Sequence, residues 1–373
     1  MDTEYLVIGG GIAGASAGYF LAQHGDAILL ERESQPGYHT TGRSAALFTE
    51  FYFNPVAGAL TAASRSFLEG PPEGFSDVPL MTPRGTLFIA RPDQMETLDR
   101  LLAEAQRLCL GAKKVSAAQA VDLCPPIVPG YLAAAIYDPD SKDMDVDAIH
   151  QGYLRGFRQA GGQVHTNAGV TEIRRVDDRW HVTTAERTYT AEKLVNAAGA
   201  WADKVAAMAG VTPISLTSYR RTVILSPVPG GEDPSCWASV VDIGDEFYWK
   251  PDRGKLLGSP CDETPMEPQD VQPDELDVAI AVDRIERTIT FRIKRVDHRW
   301  AGLRTFAADR NPVCGPDPTE PNFIWCAGQG GSGIVTSPAI GSATAAAAVG
   351  LPFPEAIETA GVTAKDLAPA RFR

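Results

Sequence analysis

The chain has 373 residues, 44% of them hydrophobic and 22% charged, enough for a sizeable buried core and about two domains. Its 34 Lys and Arg against 47 Asp and Glu leave a formal charge of −13, which argues against a surface that binds nucleic acid or a polybasic contact with membranes. Six cysteines, at 109, 124, 236, 261, 314 and 326, form no CxxC pair and have no histidine at ligand spacing, so reduced thiols in a cytoplasmic protein are expected, with no disulfide scaffold and no metal.

In chain order, residues 4–9 read as a short buried strand, 12–24 as an alanine-rich helix and 27–32 as a second buried strand, a βαβ unit. No basic segment precedes the first apolar run, and no apolar stretch reaches the roughly 18–20 residues of a membrane helix, so neither a secretory signal nor a transmembrane segment is expected. Residues 37–54, rich in Gly, Ser and Thr, predict a long loop, and 55–68 a helix. Strand 86–90 and helices 93–108 and 116–123 follow. The segment 145–162 is a strongly amphipathic helix that Asp145 or Asp147 can cap. Short strands are predicted at 163–167, 170–176, 179–184, 187–190 and 193–199. The stretch 213–306 is mostly extended, interrupted by a helix at 273–288. The last buried strand, 322–328, exits through glycines into a helix from about 333 to 349, and the tail from 350 reads as peripheral.

Two glycine elements carry chemistry. Gly9, Gly11 and Gly14 form a GxGxxG at a strand-to-helix junction, where glycine permits the turn, lets a pyrophosphate approach backbone, and allows close helix–strand packing. Glu31, at the end of the second strand, is placed to bind ribose hydroxyls. The long small-residue loop after it favours FAD over NAD. The second element, Gly328 to Gly333, lies between strand and helix, where backbone N–H groups and a helix dipole can stabilise negative charge on a reduced flavin.

These two elements, the TTGRSAA loop (40–46), the DVDAIHQGYLRG helix, LVNAAGAW (194–201), FYWKPD (247–252) and WAGLR (300–304) together resemble the D-amino-acid oxidase superfamily of flavoenzymes, most of all the bacterial D-arginine dehydrogenases, which are broad-specificity D-amino acid dehydrogenases. The resemblance implies an α/β fold: a Rossmann-like FAD-binding domain of non-contiguous segments (1–80, 145–212 and 307–373) and an α+β substrate domain on a mixed sheet (81–144 and 213–306). It implies that Ala13, Glu31, Arg32, Thr40, Thr41, Gly42, Arg43, Ser44, Ala45, Ala46, Leu47, Val170, Ala198, Gly199, Gly330, Gly331, Ser332, Gly333, Ile334 and Val335 contact FAD. On the substrate side it implies Arg304 as the carboxylate anchor, with Arg221, Tyr248 and Tyr52 beside it and Gly331 in the pocket. A guanidinium fork suits a carboxylate bidentately.

Two positions depart from that group. Thr86 stands where it has a glutamate that holds the substrate guanidinium, and Leu47 where it has a histidine near the flavin. Glu50 is the nearest acid that could substitute. Cys314 lies near the position of a covalent flavin tether in sarcosine-oxidase relatives, but the D-arginine dehydrogenases lack that cysteine, so non-covalent FAD is expected. The implied reaction is oxidative deamination of a D-amino acid with a neutral or hydrophobic side chain. Hydride passes from Cα to flavin N5, and the imino acid hydrolyses to 2-oxo acid and ammonia. The electron acceptor, whether quinone, carrier protein or oxygen, stays open. So do oxidation of secondary amines of the sarcosine or proline type, oxidation of 2-hydroxy acids, and a non-catalytic nucleotide-binding role.

Overall fold

The computed structural model describes residues 1–51, 54–108, 111–231 and 233–373. Strands Asp2–Ile8 and Ala27–Leu30 pair in parallel around the helix Ile12–Leu21. Their apolar residues are buried on both faces, because helices cover one side and further sheet-associated elements the other. The sheet runs in the order Val170–Val176, Arg179–Thr184, Thr188–Asn196, Asp2–Ile8, Ala27–Leu30, Gln163–His165, with Phe323–Ala327 parallel to Thr188–Asn196 and Val313–Pro316 antiparallel to Phe323–Ala327. Helices Ile12–Leu21, Pro55–Glu69, Val146–Gln159 and Ser337–Val349 contribute to the larger core.

A second sheet of nine strands follows the order Thr264–Met266, Thr217–Pro227, Lys255–Ser259, Tyr248–Asp252, Ser239–Asp242, Thr86–Ala90, Ala134–Asp138, Lys113–Ser116, with His298–Phe306 antiparallel to Thr217–Pro227. A small sheet joins Leu47–Phe48 to Lys142–Met144 and Met81–Pro83. Among the described residues no helix is long and apolar enough to cross a membrane.

The structure corrects three expectations. The predicted strands 187–190 and 193–199 are one strand, Thr188–Asn196. Its first half alternates buried and solvent-facing residues against an antiparallel neighbour, its second half is enclosed by parallel ones, and the change of pattern reads as a break. The last long helix starts at Ser337, not 333. The tail is not peripheral: Ile357, Val362 and Leu367 are buried in the larger core, and Arg373 is ion-paired to the fully buried carboxylate of Asp317 at 2.8 Å.

Candidate functional site

A cavity of about 1170 Å³ runs between the two large sheets, above the roughly 300–1,000 Å³ usual for one small ligand. At one end lies the first glycine element. Gly9 has φ +107°, and a Cβ there would stand 2.4 Å from the Ala197 carbonyl oxygen, while a Cβ on Gly14 would stand 1.9 Å from that of Gly9. Only glycine fits either place. Gly14 therefore serves packing and does not line the cavity, whereas Gly9, Gly11 and Ala13 do. The helix Ile12–Leu21 begins at Gly11 with no acidic residue in its first turn, so its positive end is open to an anion. Thr41 Oγ1 accepts from the Ile12 N–H at 2.9 Å.

Glu31 is buried, its carboxylate accepting from the Gly10 N–H and the Glu33 N–H, each at 2.8 Å. These bonds fix its orientation at the cavity wall and leave lone pairs for hydroxyl donors. Arg32 lies over the Trp201 ring at 4.8 Å, and His39 packs against the same ring. Val170, Ala198 and Gly199 continue this end. The loop residues Thr40, Thr41, Arg43, Ser44, Ala45, Ala46 and Leu47 line the cavity; Gly42 does not. The Arg43 guanidinium is spent elsewhere, on the carbonyls of Val271 and Ala301 and on Asp270, so only its remainder faces the cavity. Gly330 to Val335 all line it, but the Gly330 N–H donates to Thr305 O and the Ser332 N–H to Gln329 O. Neither is free for a flavin, and these residues form turns ahead of the helix.

The other end is built on the paired strands Thr217–Pro227 and His298–Phe306. Arg304 stands opposite Tyr219 and Arg221 opposite Gly302, so the two arginines occupy diagonal positions on one face. Arg220, on the other face, is ion-paired with Asp277 at 2.7 Å. Arg221 is only 4% exposed, yet among the described residues its Nε and Nη1 have no partner, and Nη2 reaches Glu263 at 3.3 Å. A buried guanidinium with open donors at a cavity wall is built to receive an anion. The Arg304 guanidinium has no hydrogen-bond or ion-pair partner among the described residues, and Gly331 packs so closely that a Cβ would lie 3.0 Å from its Cζ. Tyr248 lines the same end, and burial pushes its phenol above the ordinary value, which keeps it an O–H donor. Burial likewise pushes the nearby Cys261 thiol up to about 12, so it is protonated and no nucleophile at neutral pH.

Two expected pocket residues are elsewhere. Thr86 is fully buried and does not line the cavity; its Oγ1 accepts from Ser141 Oγ at 2.7 Å. Glu50 also stays off the cavity, held by Arg65 at 2.7 Å. Leu47 does line it, along with Phe51, Phe88, Val223 and Val241. Tyr52 lies outside the described residues. Cys314 is buried in the larger core, bonded to Thr344 Oγ1 at 3.3 Å, and is not at the cavity.

Sequence reasoning missed several wall residues. Lys250 bonds Ala46 O at 3.2 Å and Asp143 at 2.9 Å. Asp245 and Glu263 also line the cavity. Only Lys250 had a signal, its place two residues after Tyr248 on one strand face; the others depend on distant contacts.

The residues fit a flavin dinucleotide: a helix end for the pyrophosphate, a buried acid for the ribose, and a long cavity leading to two arginines. The chain is 27% identical over 217 residues to L-2-hydroxyglutarate dehydrogenase of Indibacter alkaliphilus, covering 56% of this chain and 53% of that protein. It is 24% identical to mouse mitochondrial dimethylglycine dehydrogenase, covering 91% of this chain and 41% of that one; the chain thus spans about half or less of the length of these two relatives. Glycine oxidase of Bacillus licheniformis is 25% identical, with 94% of each chain covered. The FAD-bound L-alpha-glycerophosphate oxidase of Mycoplasma pneumoniae shares the fold, with a TM-score of 0.84 at 19% identity over 94% of this chain and 95% of that one. The family description FAD dependent oxidoreductase matches residues 4–347. With that match spanning both glycine elements and both arginines, the chain belongs to the FAD dependent oxidoreductase family, and FAD is its cofactor.

Proposed function

We propose that the protein oxidises the Cα–N bond of a D-amino acid with a neutral or hydrophobic side chain. The observation that carries the reading is the pair Arg221 and Arg304, diagonal on one sheet face, with open guanidinium donors at the cavity wall. The two arginines and the Tyr248 hydroxyl bind and orient the substrate carboxylate, which fixes the direction of Cα–H. FAD, when bound, supplies the hydride acceptor; the protein contributes orientation and electrostatics. A substrate binding as free amine needs no general base, since its lone pair assists departure of hydride and yields an imine that water converts to 2-oxo acid and ammonia. Leu47, Phe51, Phe88, Val223 and Val241 favour an apolar side chain. Thr86 no longer supports that preference, being off the cavity.

The kinship to D-arginine dehydrogenases belongs to this proposal. So does the division into a flavin unit (1–80, 145–212, 307–373) and a substrate unit (81–144, 213–306), along which the two large sheets partition the chain while the small sheet crosses it. A second reading, oxidation of an N-methylated glycine or a 2-hydroxy acid, is favoured by the names of the relatives. Anaerobic bleaching of the flavin across D- and L-amino acids, N-methyl amino acids and 2-hydroxy acids separates the two. Fast bleaching by apolar D-amino acids supports the first reading; bleaching by sarcosine or a hydroxy acid alone replaces it.

A further inference from the structure

We propose that Arg310 sets the strength of the carboxylate site by drawing Glu263 away from Arg221. The inference rests on the reading of Arg221 as a carboxylate anchor.

One carboxylate oxygen serves two cations. Glu263 Oε1 is 2.6 Å from Arg310 Nη2 and 3.3 Å from Arg221 Nη2. The shorter contact is the stronger, and the longer lies near the limit of a hydrogen bond. Arg221 is therefore undercompensated: it is buried, two of its donors are open, and its one acidic partner is pulled toward a competitor.

Arg310 is well placed to hold that position. Its guanidinium stacks on the Phe306 ring at 4.2 Å. Its loop is fixed from two directions. Asn54 Nδ2 donates to Arg310 O at 3.3 Å and to Asn311 Oδ1 at 2.9 Å. Arg371 donates to the carbonyls of Asn311 and Pro312 and pairs with Asp309. Glu263 has no other hydrogen-bond or ion-pair partner among the described residues. Without Arg310 the carboxylate is free to engage Arg221 fully. It then competes for the donors a ligand needs, and apparent affinity falls by the fraction of Arg221 so occupied. Arg310 and Glu263 are thus positioning residues that act through Arg221.

The test is calorimetric titration of propanoate into the FAD-loaded protein. Arg310→Gln should weaken binding by about tenfold, within the coupling energies of contacting charged residues. Glu263→Gln should bind at least as well as the wild type, and the double variant should return to within about twofold of Glu263→Gln. Arg310→Lys, which keeps the charge, should bind more tightly than Arg310→Gln. If Arg310→Gln binds like the wild type, or the double variant stays as weak as Arg310→Gln, the proposal is wrong. If the wild type takes up no propanoate, the carboxylate reading itself fails, and the inference with it.

Discussion

His150 holds Gly10 in place: its imidazole Nε2, on the helix Val146–Gln159, donates to the Gly10 carbonyl oxygen across 2.8 Å. Gly10 in turn donates its N–H to Glu31, so one side chain braces both the glycine turn and the buried Glu31 carboxylate.

Burial lowers the His150 pKa from its ordinary value near 6.5. The folded state resists a proton that the unfolded chain accepts. Its contribution to stability is therefore complete above about 6.5 and is lost as pH falls from there to the lowered folded value. The holoprotein should melt at a lower temperature at pH 5 than at pH 7. His150→Gln, which keeps an N–H donor without a titrating ring, should show a shallower dependence. Equal slopes in the two melting series would remove His150 from the account.

FAD should be held without a covalent bond. Cys314 is buried away from the cavity, its thiol pushed up by burial. Acid precipitation should release the yellow colour into the supernatant. Colour retained in the washed pellet would mean a tether at another residue.

Arg304→Ala should lower kcat/KM by at least about 10²-fold, equivalent to about 2.7 kcal/mol, with FAD content unchanged. Gly331 packs on that guanidinium, so Gly331→Ala should perturb the same step through displacement of Arg304. Near-wild-type kinetics of Arg304→Ala would move the anchor to Arg221.

Thr86→Glu tests the corrected position of that residue. The site is fully buried and closed by Ser141, so an added carboxylate meets no substrate and no solvent. The variant should lose at least about 3 kcal/mol of stability by urea unfolding. It should gain no activity on D-arginine. A stable variant that gained such activity would restore Thr86 to the pocket.

The parts of the site that were legible in the sequence are those set by backbone. Gly9 and Gly14 are glycine because nothing else fits, and that need shows as a local pattern. Arg221 and Arg304 came from the family resemblance, Arg304 within the WAGLR stretch, and strand pairing explains why Arg221, and not its neighbour Arg220, faces the cavity. Thr86 and Glu50 were misplaced because side-chain direction at a strand end or in a loop depends on partners far along the chain, Ser141 and Arg65. The ion pair of Glu263 and Arg310, 47 residues apart, leaves no local trace at all. Nor did the tail, whose few buried apolar residues are too widely spaced to form a periodic stripe.

The cofactor loop is stitched to the strand that carries Arg304. Thr40 Oγ1 donates to Leu303 O at 2.8 Å, Arg43 Nη1 to Ala301 O at 3.1 Å, and Trp300 Nε1 back to Arg43 O at 2.9 Å. These bonds make the loop and the strand one mechanical piece, so on the proposed reading the spacing between the flavin-side loop and Arg304 is set when the chain folds, before either ligand arrives. On that reading, a turnover limited by product release should respond to changes elsewhere on the cavity wall while the reductive step stays constant.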